Sequence, residues 1–537
     1  MSEGTARGAL DAKIASAAAR DLPLAAAILR EAIRIPADHV DRPVGAPAGA
    51  PAAGGAPAAG GSGSGSGGDP LCGTSNHEGP RLEYLRRAIL EVGAVAHPDD
   101  VGFDAFGNLN WVLEDRGDGV PHHEKRVIYL DGHGDTVRPL RAQWHEKTGG
   151  LDPFLGLVDP ARLDRDSLRQ GLGWLPPDDE WQHLVFGRGA ADQLSGVVAQ
   201  IIASRILLEL MPEGALRGVV VRSYVTLAEE DNEGGGPRYL TQRLFPGAPP
   251  ALLPDVVVLT EMSGDATNGA LGIRRGQRGR MMIEVRVTGR SCHGSIPREG
   301  LNPLEHGAAI LAEAAARHER GEGFLHDPLL GPGSRTASWG EVETPSDCSV
   351  PERFTFRLDR RLTTGESPEQ ALRDVESLES VGRARAAGLA VGIAVPVYDQ
   401  PTWRGYVPGN AQVYLAWQTP EEHPAIQAAL ATYRGVVTPH VDTRREDGGS
   451  LRREPYVDRW VFSTDGVGWP VPVSERALVV PESKRWVTAG GYRHPGMFGF
   501  GSGIMQNAHQ IGEVLDLREL QHAIAFLARY PSVFAAR

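Results

Sequence analysis

Apolar positions change period several times along the chain, and each change marks an element. Leu24, Ile28, Ala32 and Ile35 recur at helical spacing before Pro36. Leu82, Leu85 and Ile89 do so after Ser75, which reads as an N-cap with Glu78 three residues on. Between the two, residues 43–68 form a Pro, Ala, Gly and Ser tract with too little apolar surface to offset its ordering entropy, and they read as a disordered insert. Short apolar runs at 127–130, 219–227 and 255–259 then read as buried strands. Residues 196–211 allow a helix with Val197, Ile201, Leu208 and Met211 on one face. This alternation predicts an α/β fold, a mostly parallel sheet with helices on both faces.

From Gly276 the pattern shifts to period two. In 281–287, Ile283, Val285 and Val287 face one way and Met282, Glu284 and Arg286 the other. A helix at 304–317, a strand at 353–358, a helix at 368–378 and a strand at 391–397 follow, with room for one more strand in 334–342. That order predicts a smaller α+β, ferredoxin-like unit. The predicted domains are 1–275 with 405–537, and 276–404 inserted between them, the larger sheet resuming near Tyr406. The C-terminal helix follows Asp516 as N-cap and carries Leu517, Leu520, Ile524 and Leu527.

Bulk properties narrow the function classes. At 537 residues with a formal charge of -13, the chain lacks the clustered Lys and Arg of a nucleic-acid or anionic-membrane surface. No apolar run approaches the ~20 residues of a membrane span, and the N-terminal stretch is not a secretory signal. Cys72, Cys292 and Cys348 are an odd set without C-x-x-C spacing, as in a reduced protein. A cytoplasmic location is expected.

Candidate chemistry gathers at the ends of the predicted strands, where open α/β sheets collect ligands. The run Asp-Gly-His-Gly-Asp-Thr-Val at 131–137 sets His133 and Asp135 on one side of an extended backbone. Asp135 would there accept the second N–H of a metal-bound imidazole; a polar turn is the plain alternative. Gly-Arg-Gly-Ala-Ala-Asp at 187–192 puts Asp192 before an apolar helix, as a cap or as a carboxylate bridging two cations. Glu229 and Glu230 lie in an acidic run that is either a solvated loop or a base beside a metal ligand. Glu261 ends another strand, where a carboxylate is costly unless paired. His509, with Glu513 four residues on, is a surface helical pair or the last imidazole. Mixed nitrogen and oxygen donors suit zinc; cobalt or manganese would accept them too.

The chain resembles the dinuclear zinc exopeptidase and amidohydrolase family of acetylornithine deacetylase, succinyl-diaminopimelate desuccinylase, aminoacylase and glutamate carboxypeptidase. The runs above carry the resemblance. So do Arg-Gly-Arg-Met-Met-Ile at 278–283, Ser-Cys-His-Gly-Ser-Ile-Pro at 291–297, Gly-Leu-Asn at 300–302, Asp-Arg-Arg-Leu-Thr-Thr-Gly-Glu at 359–366 and Phe-Ser-Thr-Asp-Gly-Val at 462–467. The lid wording, the 359–366 run and Tyr-Asp-Gln-Pro-Thr-Trp at 398–403 look most like the branch called selenium-metabolism-linked hydrolases. The resemblance implies two divalent ions, most readily zinc, on His133, Asp192 and Glu261 and on Asp192, Glu230 and His509. It implies Asp135 behind His133, Glu229 as general base, and 276–404 as a lid and dimerisation domain. Lid residue His293 would polarise the scissile carbonyl in the partner subunit of a homodimer, and Arg361 and Asn302 would anchor substrate. Leu194 stands where the family usually has Lys, Glu261-Met-Ser replaces Glu-Pro-Thr, and 140–185 is unusually long.

The expected activity is metal-dependent hydrolysis of an amide in a small molecule or short peptide, by N-acyl amino acid deacylation or exopeptidase action. A water bridging the two metals would attack, with Glu229 as base. The alternatives are a two-zinc aminopeptidase without a lid, and a metal-free binding protein that has lost catalysis.

Overall fold

The computed structural model describes residues 3–35, 75–147, 152–154, 165–172, 177–440, 452–474, 478–489 and 491–537. The 43–68 tract, Cys72 and much of the long 140–185 segment lie outside the described residues.

Helix α1 (Glu3–Arg34) is longer than predicted, because Ile14, Ala18, Ala25, Leu29 and Ile33 form one continuous buried stripe. Helix α2 (Gly79–Glu91) starts later than expected. Ser75 is not its cap: its hydroxyl donates to Asp135 Oδ2 at 2.6 Å, and Glu78 accepts the N–H groups of Asn76 and Ala228. Strands β1 (Val101–Phe103), β2 (Leu109–Glu114) and β3 (Arg126–His133) follow, then α3 (Leu194–Glu209), β4 (Val219–Thr226), β5 (Val256–Leu259) and β6 (Ile273–Arg274).

Four antiparallel strands come next in the chain. They are β7 (Gly279–Thr288), β8 (Ser334–Glu343), β9 (Arg353–Leu362) and β10 (Ala390–Ala394), in the order β8-β9-β7-β10. Helices α4 (Pro303–Glu319), α5 (Pro368–Glu376) and α6 (Glu379–Ala386) cover the face where Ile283, Val285, Val287, Phe354, Phe356 and Leu358 meet Ile310, Val375 and Val381. The predicted alternation along β7 holds except that Met282 is buried as well. The helix predicted over 368–378 is α5, which ends at Glu376, and α6 follows after Ser377 and Leu378.

The chain then runs through α7 (Pro424–Val436), β11 (Val457–Asp458), β12 (Gly496–Gly499) and α8 (Leu517–Ala535). The large sheet has the order β1-β2-β4-β3-β5-β12-β6-β11, with β4, β3, β5 and β12 mutually parallel. It does not resume near Tyr406. Residues 406–418 form short ribbons instead: Asn410–Ala411 pairs with Val397–Tyr398, and Trp417–Gln418 with Gly276–Gln277, where the chain crosses to and from the smaller sheet.

Alternation along β3 explains the two-sided burial. Ile128 and Leu130 face the layer of α1, α3, α7 and α8, while Val127 and Tyr129 face Phe245, Trp460, Trp469 and Met497. No helix among the described residues is long and apolar enough to cross a membrane.

His494 is sealed in the second of these layers, its Nδ1 2.7 Å from the Pro495 carbonyl, and burial lowers its pKa to about 4. Below pH 6.5 the unfolded chain takes up a proton that folded His494 refuses, so this contribution to stability falls with pH until about 4. The loss between pH 7 and 5 should be roughly 2 kcal/mol. Urea unfolding of the wild type and His494→Phe at both pH values should show a smaller pH-dependent difference in the variant; equal differences would refute the assignment.

Candidate metal centre

Register brings the strand ends together. His133, the last residue of β3, pairs with Thr226, the last of β4, and Asp131 pairs with Leu259, the last of β5. Residues just beyond these ends therefore share one edge: Gly134 to Asp135, Glu229 to Glu230, and Glu261. Close backbone approach completes the edge. A Cβ on Gly196 or Gly501 would stand 2.0 or 2.2 Å from the Thr260 carbonyl oxygen, so only glycine lets the Asp192 turn and the loop after β12 stack against Thr260.

Two groups of donor atoms form at this edge, and Asp192 belongs to both. His133, Asp192 and Glu261 make one; Asp192, Glu230 and His509 make the other, the atoms in each lying within 4.8 Å of one another. Asp192 Oδ1 is 3.2 Å from His133 Nε2, and Oδ2 is 3.4 Å from His509 Nε2. His133 Nε2 is 3.4 Å from Glu261, and His509 Nε2 is 2.9 Å from Glu230. On the far side of the first imidazole, Nδ1 is 3.3 Å from Asp135 Oδ1. Asp135 also accepts the N–H groups of Glu229 and Glu230, so one buried carboxylate orients the imidazole and both glutamates.

Glu229 belongs to neither group. Its carboxylate lies 3.8 Å from His133 Nε2 and accepts no hydrogen bond among the described residues. Its loop, Glu229–Asn232, sits between Ala228 (φ 52°) and Glu233 (φ 49°), two side-chain-bearing residues in the sparsely populated left-handed region. Beyond the loop, the Glu233 carboxylate accepts from Arg280 on β7 at 2.6 Å, and Asn232 is held by Asn410 and Tyr414.

Electrostatics test whether these residues fit cations. Asp192, Glu229, Glu230 and Glu261 are enclosed together, and among the described residues only two imidazoles stand within ion-pair distance of them. Burial raises Glu261 and Glu230 to about 7, the charge of Asp192 adding to each. Burial also pushes Glu229 well above the usual carboxylate range, with His133 opposing and Glu233, Glu230 and Asp465 adding to the rise. Burial would raise Asp192 too, but hydrogen bonds to His133 and His509 hold it below its ordinary value. Burial would lower both imidazoles, yet the surrounding carboxylates raise His133 well above its ordinary value and His509 to about 11. So many enclosed carboxylates are costly without cations, and the donor types are those divalent metals take. The residues fit.

Four supporting residues escaped the sequence reading. Glu513 is not the acid of a surface helical pair. It is buried and accepts from Arg188 at 2.8 Å and from the N–H groups of Gly189, Ala191 and Asp192, which fixes the turn presenting Asp192. Gln193 donates to Glu261 at 2.9 Å, Ser75 holds Asp135, and Asp465 accepts from Thr226 at 2.6 Å. Glu513 and Asp465 stand inside runs that had been singled out; Ser75 carries only the signal of a capping residue. His509 follows a short turn and has φ 62°, so it is not on a helix.

The remaining candidates lie between residues 276 and 404, with Arg361 on β9, His293 in a short ribbon with Ser349 and Asn302 at a helix start. His293 is exposed, with Nδ1 2.8 Å from the Ser295 hydroxyl. Asn302 caps α4, its carbonyl oxygen accepting from Leu304 and Glu305. Arg361 makes a two-pronged bond to Asp359 and donates to Ser463 at 2.7 Å.

Comparisons with known proteins agree with this architecture. Residues 275–380 match the family model of a peptidase dimerisation domain. The Escherichia coli (strain K12) protein YgeY is 29% identical over 398 residues, spanning 72% of this chain and 81% of its own. A succinyl-diaminopimelate desuccinylase of Stenotrophomonas maltophilia (strain R551-3) is 28% identical over 213 residues, 40% of this chain and 46% of that protein. The solved structure of the Saccharomyces cerevisiae di-peptidase Dug1p has a TM-score of 0.58 and covers 98% of this chain and 99% of its own, at 12% identity, which shows a shared fold. Through residues 275–380 and these relatives, the chain is similar to peptidases and to a desuccinylase, and it shares their fold.

Proposed function

We propose that the chain hydrolyses an amide bond, as an N-acyl amino acid deacylase or an exopeptidase, with two divalent ions, most readily zinc. One observation carries the reading: the two carboxylate oxygens of Asp192 face separate donor groups, and Glu229 stands beside His133 of the first, next in sequence to Glu230 of the second, without joining either. His133, Asp192 and Glu261 would hold one ion, and Asp192, Glu230 and His509 the other. Bound there, such ions acidify water and polarise a carbonyl oxygen.

The chain's own groups supply the rest. Glu229 takes the proton of the attacking water on its free carboxylate and returns it to the leaving nitrogen. A base enclosed among carboxylates has the raised proton affinity this double duty needs. Asp135 keeps the His133 tautomer that points Nε2 inward. We assign residues 1–275 with 405–537 to the catalytic unit and 276–404 to a lid and dimerisation unit. In a homodimer, the exposed His293 would serve the partner's site, polarising the carbonyl as the tetrahedral oxyanion forms. Arg361 and Asn302 would anchor substrate, Arg361 through a carboxylate. The inserted sheet counts against the lidless aminopeptidase, and the complete donor set counts against a metal-free binding protein.

Glu229→Gln should reduce kcat by at least a thousandfold on any substrate the wild type cleaves, while metal content by atomic emission stays at two per chain. Retained turnover would remove Glu229 as base; one ion or none in the wild type would remove the two-metal reading. His293→Ala should be as inactive alone. Mixed with Glu229→Gln under conditions of subunit exchange, it should recover part of the wild-type rate, because some mixed dimers then hold one intact site. No recovery despite demonstrated exchange would place His293 outside the partner's chemistry.

A further inference from the structure

The turn that carries Glu229 is held from behind by the loop that leads into α2. Glu229–Asn232 is a single helical turn, closed by the N–H groups of Asn232 and Glu233, which donate to the Ala228 and Glu229 carbonyls at 2.7 Å. Its first amides have no partner inside the turn. Two carboxylates take them instead. Asp135 accepts from Glu229 and Glu230 at 3.1 and 3.2 Å, and Glu78 accepts from Ala228 at 2.9 Å. The Ser75 hydroxyl donates to Asp135 from the same loop, so residues 75–78 reach both the turn and the carboxylate beneath it.

Ala228 is where that hold matters. It is buried at φ 52° and ψ 33°, in the left-handed region that a Cβ disfavours. Asn or Asp eases this setting by bonding locally through its side chain, and alanine has no such group. The angle at Ala228 sets the direction in which the chain leaves β4, and therefore where the next residue, Glu229, stands. A single oxygen of Glu78 fixes it from outside. Oε1 accepts the N–H groups of Ala228 and Asn76, both at 2.9 Å, and the carboxylate is fully enclosed. Oε2 is buried with no hydrogen-bond partner among the described residues. Glu78 is itself anchored, because the Leu82 N–H in the first turn of α2 donates to its carbonyl at 2.9 Å. Asn76 beside it donates to the Tyr398 hydroxyl at 2.6 Å. The acceptor thus stands at the start of a packed helix, where it can impose a position.

We propose that Glu78 is a positioning residue for the base: through Oε1 it holds Ala228 in its left-handed setting and so keeps Glu229 beside the metal centre. It acts through the backbone and touches no reacting atom. The inference rests on the amidohydrolase reading with Glu229 as base, and it deepens that reading by naming what fixes the base. Only one oxygen is used, and only as an acceptor, so a glutamine can serve in its place.

In the full-length, metal-loaded protein, Glu78→Ala should lower kcat roughly a hundredfold, as expected when a catalytic group moves by about 1 Å. KM and metal content should stay at wild-type values. Glu78→Gln should restore most of the rate. Adding Ala228→Gly to Glu78→Ala should recover about tenfold, because glycine takes left-handed angles freely. Hydrogen exchange reads the same hold without turnover. Amides in 226–234 should exchange roughly tenfold faster in Glu78→Ala, while those in 126–133 keep the wild-type rate. Glu83→Ala, on a half-buried glutamate of α2, should change neither measurement. If Glu78→Ala does not fold, Glu78→Asp, which withdraws the acceptor by one methylene, should show the same effects at smaller size. Wild-type kcat and exchange in Glu78→Ala would overturn the proposal. So would a glutamine variant no better than alanine, no recovery with Ala228→Gly, or exchange rising equally in 126–133, which would mark a general role in folding. If Glu229→Gln keeps its turnover, or the wild type cleaves no amide, the hydrolase reading fails on that ground, while exchange still reports whether Glu78 holds the turn.

Discussion

The whole arrangement turns on enclosing mutually repelling carboxylates at one edge of a sheet. Asp192, Glu229, Glu230 and Glu261 would separate or take up protons if nothing restrained them. The restraint is covalent and steric. Parallel strands in register deliver three of the carrying loops to adjacent positions, and glycines at 196 and 501 let the Asp192 turn and the loop after β12 press against Thr260. Neutral donors and one buried arginine then hold Glu261 and the carboxylates behind the edge: Gln193 on Glu261, backbone N–H groups on Asp135, and Arg188 with three N–H groups on Glu513. Preorganising the donors in this way moves the cost of crowding from the moment of metal uptake to the moment of folding.

Much of this was legible because strands and motifs are local. Every donor but His509 stands within a few residues of an apolar run whose period names the element, so β3, β4, β5 and α3 could be placed, and those donors with them at a carboxyl edge. The supporting residues were not legible for the opposite reason. Glu513 acts on Asp192 across 321 positions of sequence, and Ser75 acts on Asp135 across 60. Locally, each looks like something ordinary, an acid beside a helix or a cap before one. The re-entry of the sheet at Val457–Asp458 and Gly496–Gly499 was missed because two- to four-residue strands are too short to display a period. Two strands of the smaller sheet, Gly279–Thr288 and Arg353–Leu362, were readable because each is ten residues long and largely alternates.

The Glu229 loop is fastened from both sides of the insertion: Glu233 to Arg280, just after the chain departs, and Asn232 to Asn410 and Tyr414, just after it returns. A stretch so attached is not a removable accessory. Excising it to obtain a minimal enzyme would release a loop whose flanking residues already hold unfavourable backbone angles, and the loop would be expected to relax away from the edge. Any lineage that shed the insertion would have had to build a new brace for Glu229, so the presence of one unit constrains the history of the other.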